Sequence, residues 1–112
     1  MKIQYSKNIK VNLNNIILEV DFFKYFDGTN GFRLMQGKKQ IACCTINLEK
    51  CFLNDDEVII KDYDQNNGMY KALLDAKLIK PYTRRTTVGN NKGLICKLNN
   101  DYVNPPDIKN QN

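Results

Sequence analysis

The residues from Glu57 to Lys77, EVIIKDYDQNNGMYKALLDAK, constrain this chain most, because within them the spacing of apolar side chains changes from that of a strand to that of a helix. Val58, Ile59 and Ile60 form a β-branched run, which favours a strand buried on at least one face. Asp62, Asp64, Asn66 and Asn67 then supply turn and capping groups, and Met69, Leu73 and Ala76 recur at helical spacing with Tyr70 and Leu74 beside them. The pattern predicts a strand, a polar turn and one amphipathic helix at about residues 67–77, packed by one face.

Upstream, the alternation is that of strands. In residues 8–22 a two-residue turn at Asn14-Asn15 suits asparagine, which tolerates positive φ. That turn pairs Leu13 with Ile16, Val11 with Leu18 and Ile9 with Val20 on one face, and Lys10 with Glu19, Asn8 with Asp21 and Asn12 with Ile17 on the other. Phe22, Phe23, Tyr25 and Phe26 carry the second strand to Asp27-Gly28-Thr29-Asn30-Gly31, whose turn formers predict an exposed loop. A third strand, Phe32 to Gln36, turns at Gly37-Lys38 into a fourth, Gln40 to Leu48, with Leu34 facing Ile41 and Phe32 facing Cys43. Glu49 to Asp56 reads as a connector tethered to the core by Cys51, Phe52 and Leu53.

Downstream of the helix, Pro81 forbids its continuation. Thr83 to Val88, a turn from Gly89 to Gly93, and Leu94 to Leu98 make a last hairpin. The expected order is β-β-β-β-β-α-β-β. It implies one α+β domain over residues 1–98, with a mainly antiparallel, curved sheet of about six to seven strands and one packed helix. The stretch 99–112, with Pro105-Pro106 and little to bury, reads as a flexible tail.

A chain of 112 residues suffices for one core. The start MKIQYSKNIK lacks the apolar stretch of a signal peptide, and no apolar run reaches the roughly 20 residues of a membrane span, so a cytoplasmic chain with no membrane partner is expected. Cys43, Cys44, Cys51 and Cys96 are then expected as reduced, mostly buried thiols. Cys43 and Cys44, adjacent in a strand, should point to opposite faces. A zinc site would need all four as thiolates, and the adjacent pair lacks the usual spacer.

Histidine is absent, which removes the commonest general base and the commonest metal ligand. Asp62, Asp64 and Asn66 begin like a calcium loop, but Asn67 stands where glycine is required and Leu73 where a bidentate glutamate is required. Helix capping by Asn66 or Asn67 accounts for the same residues. No metal, cofactor or catalytic constellation is therefore expected.

Charge is distributed unevenly. Between Lys77 and Lys97 there are six cations and no acid, whereas Glu49 to Asp64 holds six acids against two lysines. The basic hairpin, with Lys77, Lys80, Tyr82, Arg84, Arg85, Lys92 and Lys97, is the first candidate binding surface, since guanidinium forks suit phosphates and carboxylates. Arg84 and Arg85 should project to opposite faces. Only Tyr82 is an aromatic residue among these cations, which weakens base stacking and leaves backbone phosphate contacts. The loop with Asp27, Thr29 and Asn30 is the alternative site.

The segment from TINL at Thr45 to Leu48 through DDEVIIKDYDQNNGMYKALL, with the closing CKL at Cys96 to Leu98, resembles a family of short proteins from phages and conjugative elements of anaerobic gut bacteria, catalogued as a domain of unknown function. The family pattern is T-[IV]-N-L, then D-E-V-x-I-K-[DN]-Y-x-x-N-x-G-M-x-x-A-L, then C-[KR]-L. It covers most of residues 16–98, and I-K-D-Y-x-x-N-x-G-M is its most specific part. The family usually carries glycine just after the helix where Lys77 stands, so a left-handed helix terminus is less comfortable there. The resemblance implies no catalytic residues. It implies a mobile-element setting, and with it a non-enzymatic inhibitor that counters host defence in the manner of an anti-CRISPR protein, binding a charged surface of a host protein or nucleoprotein complex. Direct nucleic-acid binding through the basic hairpin, and a small enzyme acting through Cys or Asp, are the alternatives.

Overall fold

A computed structural model describes residues 9–48 and 51–99. The strands are β1 (Lys10–Leu13), β2 (Ile16–Lys24), β3 (Asn30–Gln36), β4 (Lys39–Cys43), β5 (Thr45–Ile46), β6 (Glu57–Ile60), β7 (Arg84–Val88) and β8 (Asn91–Lys97), with the helix α1 (Met69–Asp75) between β6 and β7. The α+β class and the antiparallel pairing are as expected. The single sheet is not: the strands form two four-stranded sheets, ordered β1-β2-β3-β4 and β5-β6-β8-β7.

The division occurs at Cys44. The strand expected from Gln40 to Leu48 pairs with β3 up to Cys43 and with β6 from Thr45 onward. Between them the Cys44 amide donates to Phe32 O at 3.0 Å and its carbonyl accepts from the Lys61 amide at 2.9 Å, one bond into each sheet. A strand that changes sheets at a bend makes a corner, and the inner faces of both sheets then share one core. That core joins Val11, Leu18, Phe32, Leu34 and Cys44 from the first sheet to Val58, Ile60, Cys96 and Leu98 from the second, and to Met69 and Leu73 of α1.

The first hairpin has the expected register, from Lys10 opposite Glu19 to Leu13 opposite Ile16. Both turn residues take positive φ, 52° at Asn14 and 69° at Asn15. Ile17 lies on the polar face, 57% exposed. Asn8, expected opposite Asp21, lies outside the described residues. On its β3 side Asp21 sits across from Arg33, with Arg33 Nε 2.7 Å from its carboxylate. In the second hairpin the Gly37-Lys38 turn holds, but Leu34 faces Ala42 rather than Ile41, and Cys43 faces Arg33 rather than Phe32. A bulge leaves Ile41 without a cross-strand partner, and the extra residue turns Ala42 and Cys44 towards the core. Cys44 is accordingly buried and Cys43 half-buried; Cys96 is buried as well. Desolvation pushes the Cys44 thiol well up and that of Cys96 to about 12, so neither behaves as a nucleophile at neutral pH.

The helix is shorter than its spacing suggests. Gly68 precedes Met69, and Asp62 rather than Asn66 or Asn67 caps the first turn, its Oδ1 accepting from the Tyr70 amide at 2.7 Å. Asn66 is buried and donates to Cys43 O at 2.7 Å, tying the turn to the first sheet. At the other end Lys77 takes φ 61° despite its side chain. The Lys77 amide donates to Leu74 O and the Leu78 amide to Leu73 O, a Schellman closure with Leu73 and Leu78 both buried. Burial of that apolar pair outweighs the backbone cost of a left-handed lysine, so the less comfortable terminus forms. In the last hairpin the turn is only Gly89-Asn90, since Val88 already faces Asn91. Asn99, assigned to the tail, donates from its amide to Leu78 O at 2.9 Å; residues 100–112 lie outside the described residues. Among the described residues no helix is long and apolar enough to cross a membrane.

Lys77→Gly removes the left-handed strain while keeping the Schellman bonds. It should stabilise the fold by about 1 kcal/mol, read as a higher urea midpoint at unchanged slope. In native-state alkylation near pH 8, Cys44 and Cys96 should stay unmodified, and any label taken up should be on Cys43 or Cys51.

Candidate interaction surface

The sheet register sorts the basic residues by face. Across the second sheet Glu57 faces Lys97, and the short bridge Ile79 to Leu98 places Lys80 opposite Lys97 on the far side, with the Lys80 amide donating to Lys97 O at 2.9 Å. One row beyond, Ile59 faces Ile95 and Ile95 faces Arg84. Lys80, Lys97 and Arg84 therefore share the outer face. Arg85 faces Leu94, and Lys92 faces Thr87, on the opposite side. The expected opposite projection of the two arginines holds, and the basic hairpin is two separate cationic surfaces.

Arg84 is engaged within the fold, with its side chain 43% exposed. Its Nη2 lies 2.8 Å from Glu57 Oε1 and donates to Phe52 O at 3.0 Å. Glu57 is only 4% exposed, and its Oε1 also accepts from the Asn54 amide at 2.9 Å. A carboxylate that far from water persists only when paired and hydrogen-bonded, so Arg84 neutralises Glu57 and clamps the connector to the sheet. The opposite charges that stand apart in sequence here meet in the fold.

The other candidates divide similarly. Tyr82 packs its ring edge-on against Tyr70 at 5.6 Å, and its amide donates to Tyr70 Oη at 3.0 Å, fixing the chain after Pro81 to the helix. Lys92 Nζ donates to Thr87 Oγ1 at 3.1 Å. Lys77, Lys80, Arg85 and Lys97 are exposed and make no salt bridge among the described residues. Two lysines opposed across a ladder repel, and Lys80 and Lys97 stand opposed in this way on the outer face.

The alternative loop is less exposed than its turn formers imply. Asn30 opens β3 and is buried, donating from Nδ2 to Asp55 O at 2.7 Å and accepting from Lys24 Nζ. Asp27 Oδ1 accepts from both the Thr29 amide, at 3.0 Å, and the Thr29 hydroxyl, at 2.7 Å, and these bonds hold its carboxyl below the usual range. Asp27, Thr29 and Asn30 build the loop, and the side chain it presents is Phe26, 109% exposed. Phe52, expected to tether the connector to the core, is 75% exposed. Sequence reasoning missed both, because an apolar residue beside a strand ordinarily predicts burial.

The chemistry for holding a metal is thin. Asp62 is engaged at the helix start and Asn66 with Cys43, and no group of three or more His, Cys, Asp or Glu is gathered among the described residues.

Arg84→Glu would set a second carboxylate against buried Glu57 and should destabilise the fold by about 2–3 kcal/mol in chemical denaturation, whereas Arg85→Glu should stay within about 0.5 kcal/mol of wild type. Comparison of the chain with family models, with curated proteins and with solved structures finds no match in any of the three.

Proposed function

We propose that the chain is a non-enzymatic interaction protein, an inhibitor of the phage or mobile-element type, that binds an anionic surface of a host nucleoprotein complex through the outer face of its second sheet. The observation that carries this reading is the opposed pair Lys80 and Lys97, exposed and making no salt bridge among the described residues. Like charges across a ladder cost stability, and an anionic partner would offset that cost. The mobile-element setting comes from the motif resemblance, and countering host defence follows from that setting. The buried, protonated thiols of Cys44 and Cys96 give catalysis through those two cysteines no support.

Direct binding of a nucleic-acid strand is the second reading, and one contact favours it. Phe52, exposed and fastened by its carbonyl to Arg84, stands next to this cationic face and supplies a ring on which a base can stack.

Immobilised wild-type protein should capture its complex from extracts of the bacterial host. Lys80→Gln with Lys97→Gln should lose that capture at least about tenfold while the thermal midpoint holds or rises slightly, because a repulsion is relieved. Capture equal to wild type would remove the face from the mechanism. Fluorescence anisotropy with labelled single-stranded DNA and RNA near roughly 50 mM salt separates the second reading, whose affinity should fall steeply as salt rises.

A further inference from the structure

We propose that the free edge of β1 is where this chain meets a second copy of itself, the two β1 strands pairing antiparallel about a two-fold axis at Val11 so that the first sheets of both copies run on as one. The inference concerns a different surface from the Lys80 and Lys97 face and does not rest on reading the chain as an inhibitor.

β1 ends the first sheet, and among the described residues no strand pairs with its other side. The direction of its backbone groups follows from the ladder. The Val20 amide donates to Ile9 O at 2.9 Å, and Val11 faces Leu18 two residues on, so alternation turns the amides and carbonyls of Lys10 and Asn12 away from β2. Both residues line an open groove of about 650 Å³ whose far wall is α1, with Ala72 and Ala76 one turn apart and Asp75 beside them. An edge of unpaired backbone groups beside a helix is a seat for an extended strand.

Register and charge select that strand. Lys10 and Asn12 together offer two donors and two acceptors along the edge. A copy turned about Val11 sets Asn12 of the second copy opposite Lys10, and Lys10 of the second copy opposite Asn12, which satisfies all four groups on each edge and keeps lysine from facing lysine. An axis at Lys10 would oppose two ammonium groups, and one at Asn12 would set Lys10 against the turn residue Asn14. The groove does not repel its own kind, because Lys10 lies 3.9 Å from Glu19 and Lys71 3.0 Å from Asp75, so its charges are already matched. A contact of this symmetry closes on itself and stops at two copies. The other sheet edges suit a second copy less: β4 is bulged at Ile41, β5 has two residues, and β7 carries Arg84 and Arg85 on opposite faces.

Sedimentation equilibrium of the full chain tests this, with amide hydrogen exchange read by NMR on the same protein. The expected result is a monomer in equilibrium with a dimer at a Kd of about 1–100 μM, in keeping with a small interface. The Lys10 and Asn12 amides should gain protection as concentration rises, whereas those of Arg85 and Thr87 on the β7 edge should not. Asn12→Pro removes only an outward amide, so it should keep the fold of the monomer while weakening association at least about tenfold. Thr87→Pro, the same change on β7, should associate as wild type does. A chain that stays monomeric up to about 1 mM, an assembly larger than two, protection confined to β7, or wild-type association by Asn12→Pro would each overturn the inference. So would protection of Lys10 and Asn12 that appears only when host extract is added to the monomer, which would give the edge to a different protein. Should Asn12→Pro fail to fold, the concentration dependence of the wild-type amides decides.

Discussion

The fold depends on one residue satisfying two sheets at once. Cys44 offers its amide to Phe32 and its carbonyl to Lys61, and at that point a continuous strand stops belonging to the first sheet and begins the second. A buried backbone group without a partner would cost more than the bend itself, so the crossing is tolerable only because both ladders reach it. The small thiol, fully buried, lets the two inner faces close over the same core. Thr45 reinforces the corner, its hydroxyl lying 2.9 Å from Tyr25 Oη and accepting from the Phe32 amide at 3.3 Å.

The second constraint is electrostatic. Glu57 begins β6 on the outer face of the second sheet and is almost wholly withdrawn from water, and it is Arg84, from a strand two places away in the sheet, that compensates it. The same guanidinium holds Phe52 O, so that the connector before β6 is fastened to the second sheet. The arginine expected to meet a partner is thus also part of the scaffold.

Much of the local structure was legible. The Asn14-Asn15 turn, the register of the first hairpin, the strand at Val58 to Ile60 and the helix beginning near Met69 all follow from periodicity and turn chemistry, which act over a few residues. Predictions failed where one residue changed the parity of a strand or where a distant partner outbid a local preference. The Ile41 bulge reversed the faces of the fourth strand. Lys77 took a left-handed conformation because Leu73 and Leu78 bury each other across the helix end. The candidate loop was placed too far along, since Asn30 and Gly31 already belong to β3 and are buried; its polar residues serve the turn, and its exposed group is the phenylalanine before them.

By itself, then, the amino-acid sequence determined which stretches pair, where they turn, which sides are apolar and how charge is distributed along the chain. Only the tertiary structure decided that the strands divide into two sheets at Cys44, that Arg84 is neutralised from within, and that Phe26 and Phe52 stand in water. The physical reason is range. Backbone propensity and side-chain period are set within a turn or two, whereas a strand's change of partners, a buried ion pair and the exposure of a ring depend on residues tens of positions away that only folding brings together.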